Sequence, residues 1–213
     1  MAKATALSPV SNGAIESISA SEPYVARIVV VGSSPLLMHA YNVESVEAKG
    51  KAAKGSSVKK TDDVESFVYR MSDDDNRLGM PGANFCAALC VAAKSMQDPR
   101  SPRKSMMDLI KASVISLDPV APFLPGVTEW DFIDRRRVVI QRNSVARARP
   151  AMNIGWRIAF KVLVNAPEYV PPDVLHSLAS KAGMFQGIGD FRPTYGRFQV
   201  SSFEHGDMDS IGG

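Results

Sequence analysis

Cysteine and histidine are scarce in this chain. Its 213 residues include two cysteines, Cys86 and Cys90, and three histidines, His39, His176 and His205. The cysteines lie four apart on an expected helix, where they share a face but lack the geometry of a disulfide. No histidine stands near them at a metal-ligand spacing, so both read as small core residues. The run Asp73-Asp74-Asp75 reads as a solvated turn rather than a calcium loop. No metal and no cofactor is expected. Long apolar runs are missing too: nothing approaches the ~20 residues that a membrane-spanning helix requires. The N-terminal stretch is rich in Ala and Ser but has no continuous apolar leader segment. The expected setting is therefore the cytoplasm, with no membrane partner.

The most telling absence is local. Between Arg135 and Lys161 there is no Asp or Glu, while Arg135, Arg136, Arg137, Arg142, Arg147, Arg149, Arg157 and Lys161 are all positive. The whole chain carries only +3, so the remainder is net acidic. A basic block on an otherwise acidic protein points to a polyanion partner. The other reading is a solvated charged face. Arginine rather than lysine supplies the first six of these charges, and a planar guanidinium both pairs with phosphate and stacks on bases.

Hydrophobic residues make up 45% of the chain, enough for a sizeable core. Val25 to Val31 is β-branched and ends in Gly32-Ser33-Ser34-Pro35, which predicts a strand and a turn. Lys49, Lys51, Lys54, Lys59 and Lys60 stand among Gly and Ser in a 42–62 loop. That loop reads either as a solvated insertion or as a cover for a polyanion. Asp62 to Met71 predicts a short helix. Phe85, Ala88, Leu89, Ala92 and Ala93 recur at helical spacing and predict a helix from Ala83 to Met96. A second helix is expected over Lys104 to Ala112, and a strand over Val114 to Leu117.

Thr128 to Ile133 and Val138 to Gln141 predict a hairpin or two edge strands, and arginines alternate with small residues between Asn143 and Asn153. Trp156 to Val164 alternates apolar residues with Arg157 and Lys161, as in a strand with one apolar and one partly basic face. Pro171-Pro172-Asp173 opens a helix striped by Val174, Leu175, Leu178 and Ala182, with Gly183 read as the glycine just past its end. Phe198 and Val200 mark the last strand. The order predicts an α+β, ferredoxin-like (RRM-like) βαββαβ antiparallel sheet, with helices on one face. Arg157, Lys161, Arg197 and Gln199 are expected on the other face. A flexible arm (1–22) precedes one domain (23–204) that carries the lysine loop and a basic lobe (119–152), followed by a tail (205–213).

Between the last helix and last strand runs Gly187-Ile188-Gly189-Asp190-Phe191-Arg192-Pro193-Thr194-Tyr195-Gly196-Arg197. The plain reading is a tight connection. The functional one is a turn whose glycines, Gly187, Gly189 and Gly196, let a nucleic-acid backbone approach. Arg192 and Arg197 would then contact phosphate, and Tyr195 would stack a base.

Three segments together resemble the repeat-associated mysterious protein (RAMP) superfamily, the RNA-binding subunits of CRISPR effector complexes. They are Val29-Val30-Val31-Gly32-Ser33-Ser34-Pro35-Leu36-Leu37, the helix entry Met80-Pro81-Gly82-Ala83-Asn84-Phe85-Cys86-Ala87-Ala88-Leu89, and the glycine-rich loop. The stretch from Ala182-Gly183 to Phe198 is also similar to the end of uncharacterised phage and prophage proteins. This resemblance implies an RRM-like fold with a thumb-like basic hairpin, here within Thr128 to Arg149. It also implies a single strand of RNA or DNA as partner, and assembly of copies into a filament or ring or within a nucleoprotein complex. A phage or prophage origin implies a bacterial host cytoplasm. No enzymatic activity is expected. The alternatives are a metal-independent endoribonuclease using His39, which follows the first strand as in cleaving members of the superfamily, and a phage structural or protein-interaction module.

Overall fold

The computed structural model describes residues 22–41, 47, 51, 63–71, 76–140 and 143–207. Most of the expected arm, the lysine loop, Asp73 to Asp75 and Arg142 lie outside the described residues. Within the lysine loop, Glu47 and Lys51 are helical and form an exposed ion pair at 3.3 Å.

Strand β1 (Tyr24–Gly32) alternates as β-branched sequence dictates. Tyr24, Ala26, Ile28 and Val30 enter the core, and Val25, Arg27, Val29 and Val31 lie on the opposite face. On one side β1 pairs antiparallel with β10 (Arg157–Val164), on the other with β11 (Phe198–Gly206). Beyond β10 lies β6 (Val114–Ser116), so the sheet order is β11-β1-β10-β6. Helices α1 (Gly82–Ala92) and α3 (Pro172–Phe185) cover the core face, and α2 (Met107–Ser113) adjoins α1. The Phe85 ring of α1 lies flat on Phe160 of β10, with centroids 4.5 Å apart and 5° between planes. The architecture is α+β with antiparallel sheets, compatible with a ferredoxin-like fold.

A second sheet flanks the first. The short β2 (Leu36–Leu37) pairs with β9 (Asn143–Met152), which pairs along its whole length with β8 (Phe132–Ile140). The hairpin expected between Thr128–Ile133 and Val138–Gln141 is corrected: Phe132–Ile140 is one continuous strand, and its partner is the segment in which arginines alternate with small residues. β3 (Gly79–Pro81) with β7 (Val120–Pro122), and β4 (Gln97–Asp98) with β5 (Ser101–Ser105), form two small ribbons.

Several expectations are corrected. Over Asp62 to Met71 the described residues hold only a three-residue 3-10 turn, Glu65–Phe67, because a single apolar side chain, Phe67, anchors it. The helix expected from Lys104 begins at Met107, since Ser101–Ser105 is committed to β5. β11 runs on to Gly206, into the expected tail. Gly183 lies inside α3 rather than past its end. A Cβ there would stand 2.2 Å from the Phe198 carbonyl oxygen, so the glycine serves close helix–strand approach.

Candidate functional site

The hairpin sorts its arginines by register. Asp134 faces Arg149 and Arg136 faces Arg147 across the ladder, so these four share one side; Arg135 faces Ala148 and Arg137 faces Ala146 on the other. The inner side rests on the glycine-rich loop. There Arg136 donates from Nε to Asp134 at 2.6 Å and from Nη2 to the Tyr195 hydroxyl at 2.6 Å. Its guanidinium sits 4.9 Å from the Phe191 ring centre and 4.7 Å from that of Tyr195. The Asp134 carboxylate, and after it Tyr195, hold the Arg136 charge well above its ordinary pKa.

Arg149 is expected at the surface but is only 7% exposed. It donates to the Asp190 carboxylate and lies 4.5 Å from the Phe191 ring. Its Nη1 is buried with no hydrogen-bond partner among the described residues. Asp190 in turn accepts the Phe191 amide at 2.9 Å and so fixes that residue at φ 54, a backbone region rare for an aromatic residue. Arg147 is half-buried and also engaged. Two of the expected phosphate contacts, Arg136 and Arg149, are thus used to hold hairpin and loop together.

The outer side differs. Arg135 and Arg137 are exposed, and among the described residues neither has an ion-pair or side-chain hydrogen-bond partner.

The loop glycines are explained by the chain itself. Gly187, Gly189 and Gly196 adopt φ of 71°, 79° and 72°. A Cβ on Gly196 would stand 1.7 Å from the Ile188 carbonyl oxygen, and one on Gly189 2.6 Å from that of Leu37. Ile188 donates to Gly196, Gly196 to Pro35 and Asp190 to Leu37, closing the loop onto itself and onto β2. The close approach foreseen for a foreign backbone is taken by residues 35–37. On the rim, Arg192 is exposed. Arg197, also exposed, is held through its amide by the Ser34 hydroxyl at 2.9 Å and through Nε by the Pro193 carbonyl at 2.7 Å. Tyr195 is half-buried under Arg136 rather than offered as a stacking platform.

On the sheet face away from the helices, Arg157, Val31 and Gln199 form one row across three strands. Arg157 is exposed, with no ion-pair or side-chain hydrogen-bond partner among the described residues. Lys161, Arg27 and Glu204 form another row, in which Arg27 pairs with Glu204 at 3.5 Å and Lys161 is engaged. Arg197 precedes β11 and so joins the loop rather than this face. Trp156 is buried, its indole N–H donating to the Ser34 carbonyl at 2.8 Å.

His39 is exposed, with its ring 4.6 Å from that of Phe67. With Tyr69, Asn84, Gly189 and Asp190 it lines a polar pocket of about 130 Å³. Burial first, then the Asp190 charge, raises the Tyr69 pKa, so its hydroxyl stays protonated and donates to the His39 carbonyl. Among the described residues there is no group of three or more His, Cys, Asp or Glu fit to hold a metal, and no helix long and apolar enough to cross a membrane.

No family model matches the sequence, and no curated protein matches it. Among solved structures, the chain is similar to one in the cryo-EM structure of the Type III-B Cmr-beta bound to cognate target RNA, with a TM-score of 0.49 and 9% identity. The match covers 86% of this chain and 61% of that one, so the present chain spans about three fifths of its neighbour's length.

Sequence reasoning missed the acidic and aromatic partners. Asp134 stands one residue before the acid-free block, and Asp190 and Phe191 lie in the middle of the glycine-rich loop. Their proximity to the arginines was the available signal.

Proposed function

We propose that the chain binds single-stranded nucleic acid, RNA or DNA, without strong sequence preference and without chemistry of its own. The observation that carries this reading is the division of the acid-free block. One set of guanidiniums braces the hairpin, and a second set, Arg135 and Arg137, stands exposed without acidic partners. Arg157, Arg192 and Arg197 add to the exposed set at the sheet end and loop rim. Such a surface meets phosphates rather than base edges, so binding is salt-dependent and sequence-tolerant.

The test is fluorescence anisotropy of a labelled mixed-sequence single strand, as RNA and as DNA, at low salt. Arg135→Ala/Arg137→Ala/Arg157→Ala should weaken binding to every sequence alike. Unchanged affinity in the triple variant would sink the assignment of this surface. The reading extends to assembly of copies along the strand as a filament or ring. Electron microscopy with and without the strand checks this extension, which fails if particles stay single in both.

A second reading draws on the pocket beside His39. An exposed imidazole near a carboxylate and a phenol suits metal-independent cleavage of RNA. Cleavage of labelled RNA in EDTA, lost in His39→Ala, supports it; intact RNA after prolonged incubation removes it.

A further inference from the structure

Two large apolar side chains stand in solvent where α3 ends: Met184 is 60% exposed and Phe185 65%. Beside Met184 a concavity of about 390 Å³ opens between α3 and the start of β11. Its apolar wall is Met184, Phe198 and Val200, and its polar wall is Ser33 and Arg197. No acidic residue lines it. The Arg197 guanidinium is positioned through Nε by the Pro193 carbonyl, and its Nη groups have no partner among the described residues. Gln199, between Phe198 and Val200 on the same strand, points to the opposite face of the sheet, in the row with Val31 and Arg157.

We propose that this concavity is a nucleotide subsite: one unstacked base packs against Met184 while Arg197 holds its phosphate. The inference rests on the single-strand reading above and names where a base, rather than only a backbone, is bound. A thioether packs well on a flat aromatic ring. A guanidinium at the rim of an acid-free cleft selects an anionic ligand of this shape. The Ser33 hydroxyl, which both donates and accepts, meets the edge of any base. The site therefore binds without choosing sequence.

The experiment compares an ordinary single strand with an abasic strand of the same length and charge, each titrated against the full chain and against Met184→Ser. Met184 is largely exposed, so the variant keeps its core. The expected result is that the wild-type chain prefers the base-bearing strand and that Met184→Ser loses roughly tenfold on that strand, the scale of one stacked base. Affinity for the abasic strand stays unchanged. If the wild-type chain binds neither strand, the single-strand reading itself fails. If it binds both and Met184→Ser matches it on each, or loses equally on each, the subsite alone is overturned. A strand-independent change of oligomeric state in Met184→Ser, seen by light scattering, assigns the surface to a second copy of the chain and also overturns the proposal.

Discussion

At the scale of single residues, the same side-chain type takes opposite roles according to what faces it. Arg149 and Arg135 are both hairpin arginines. The first is buried against Asp190 and Phe191, the second exposed beside an alanine. Removing the acid from the buried pair strands a cation. Asp190→Ala should therefore cost about 2–3 kcal/mol, below the ~3–5 of a fully buried pair because a third of the Asp190 side chain is exposed. Arg149→Met removes the charge along with its need for a partner and should cost less. Urea denaturation of the two variants ranks them, and the opposite order would refute the pairing. Gly196→Ala combines a positive φ with a Cβ 1.7 Å from a carbonyl oxygen. Strain alone costs about 1–3 kcal/mol, and the clash adds to it, so a clear drop in Tm is expected. Burial pushes the Cys86 thiol up to about 11, with a smaller contribution from Cys90. A raised thiol pKa favours the protonated fold: its contribution is complete below the ordinary thiol range and is lost as pH climbs through 11. At pH 8.5 Cys86 should alkylate on the order of a hundredfold more slowly than a free thiol; mass spectrometry after iodoacetamide gives the rate.

At the scale of elements, alternation told more than composition. The extended character of the arginine segment was legible because small residues separate Arg147 and Arg149. What the sequence could not show was which of the two hairpin faces is inner. That depends on where the loop from Gly187 to Arg197 docks, through long-range bonds such as Gly196 to Pro35 and Asp190 to Leu37. Gly183 shows the same limit, because a glycine at a helix end and a glycine under a crossing strand look alike until Phe198 is placed against it. The helix start at Met107 is not legible because lysine and serine are compatible with a helix, while the β4–β5 pairing that claims Ser101–Ser105 is visible only in three dimensions. A prediction belongs at this scale. Arg135→Ala/Arg137→Ala breaks no ion pair or side-chain hydrogen bond among the described residues, so stability should stay within about 0.5 kcal/mol of the parent. On the proposed reading, the slope of log K against log salt for a single strand should shrink by about 1.4, the value for two lost phosphate contacts at ~0.7 each. A slope that does not move would place those two residues off the path of the strand.

At the scale of the whole molecule, the main strands and helices along the chain were legible from where the apolar runs fall, and the core residues of α1, β10 and α3 from periodicity. Charge distribution was legible as a block but not as a surface, because Asp134 and Asp190 neutralise part of it locally. The long pairings of β1 carry a consequence for the order in which the protein comes together. Val31 meets Arg157, and Val25 meets Gly206. At a synthesis rate of ~5–20 residues per second, β1 waits roughly ten seconds or more for its last neighbour to leave the ribosome. Until β10 emerges, a β-branched strand with two unclaimed edges is offered to every other nascent chain, and until β11 follows one edge stays open. The β8–β9 hairpin closes locally in the same period. Its outer face, with Arg135 and Arg137 exposed, therefore emerges ahead of the finished core.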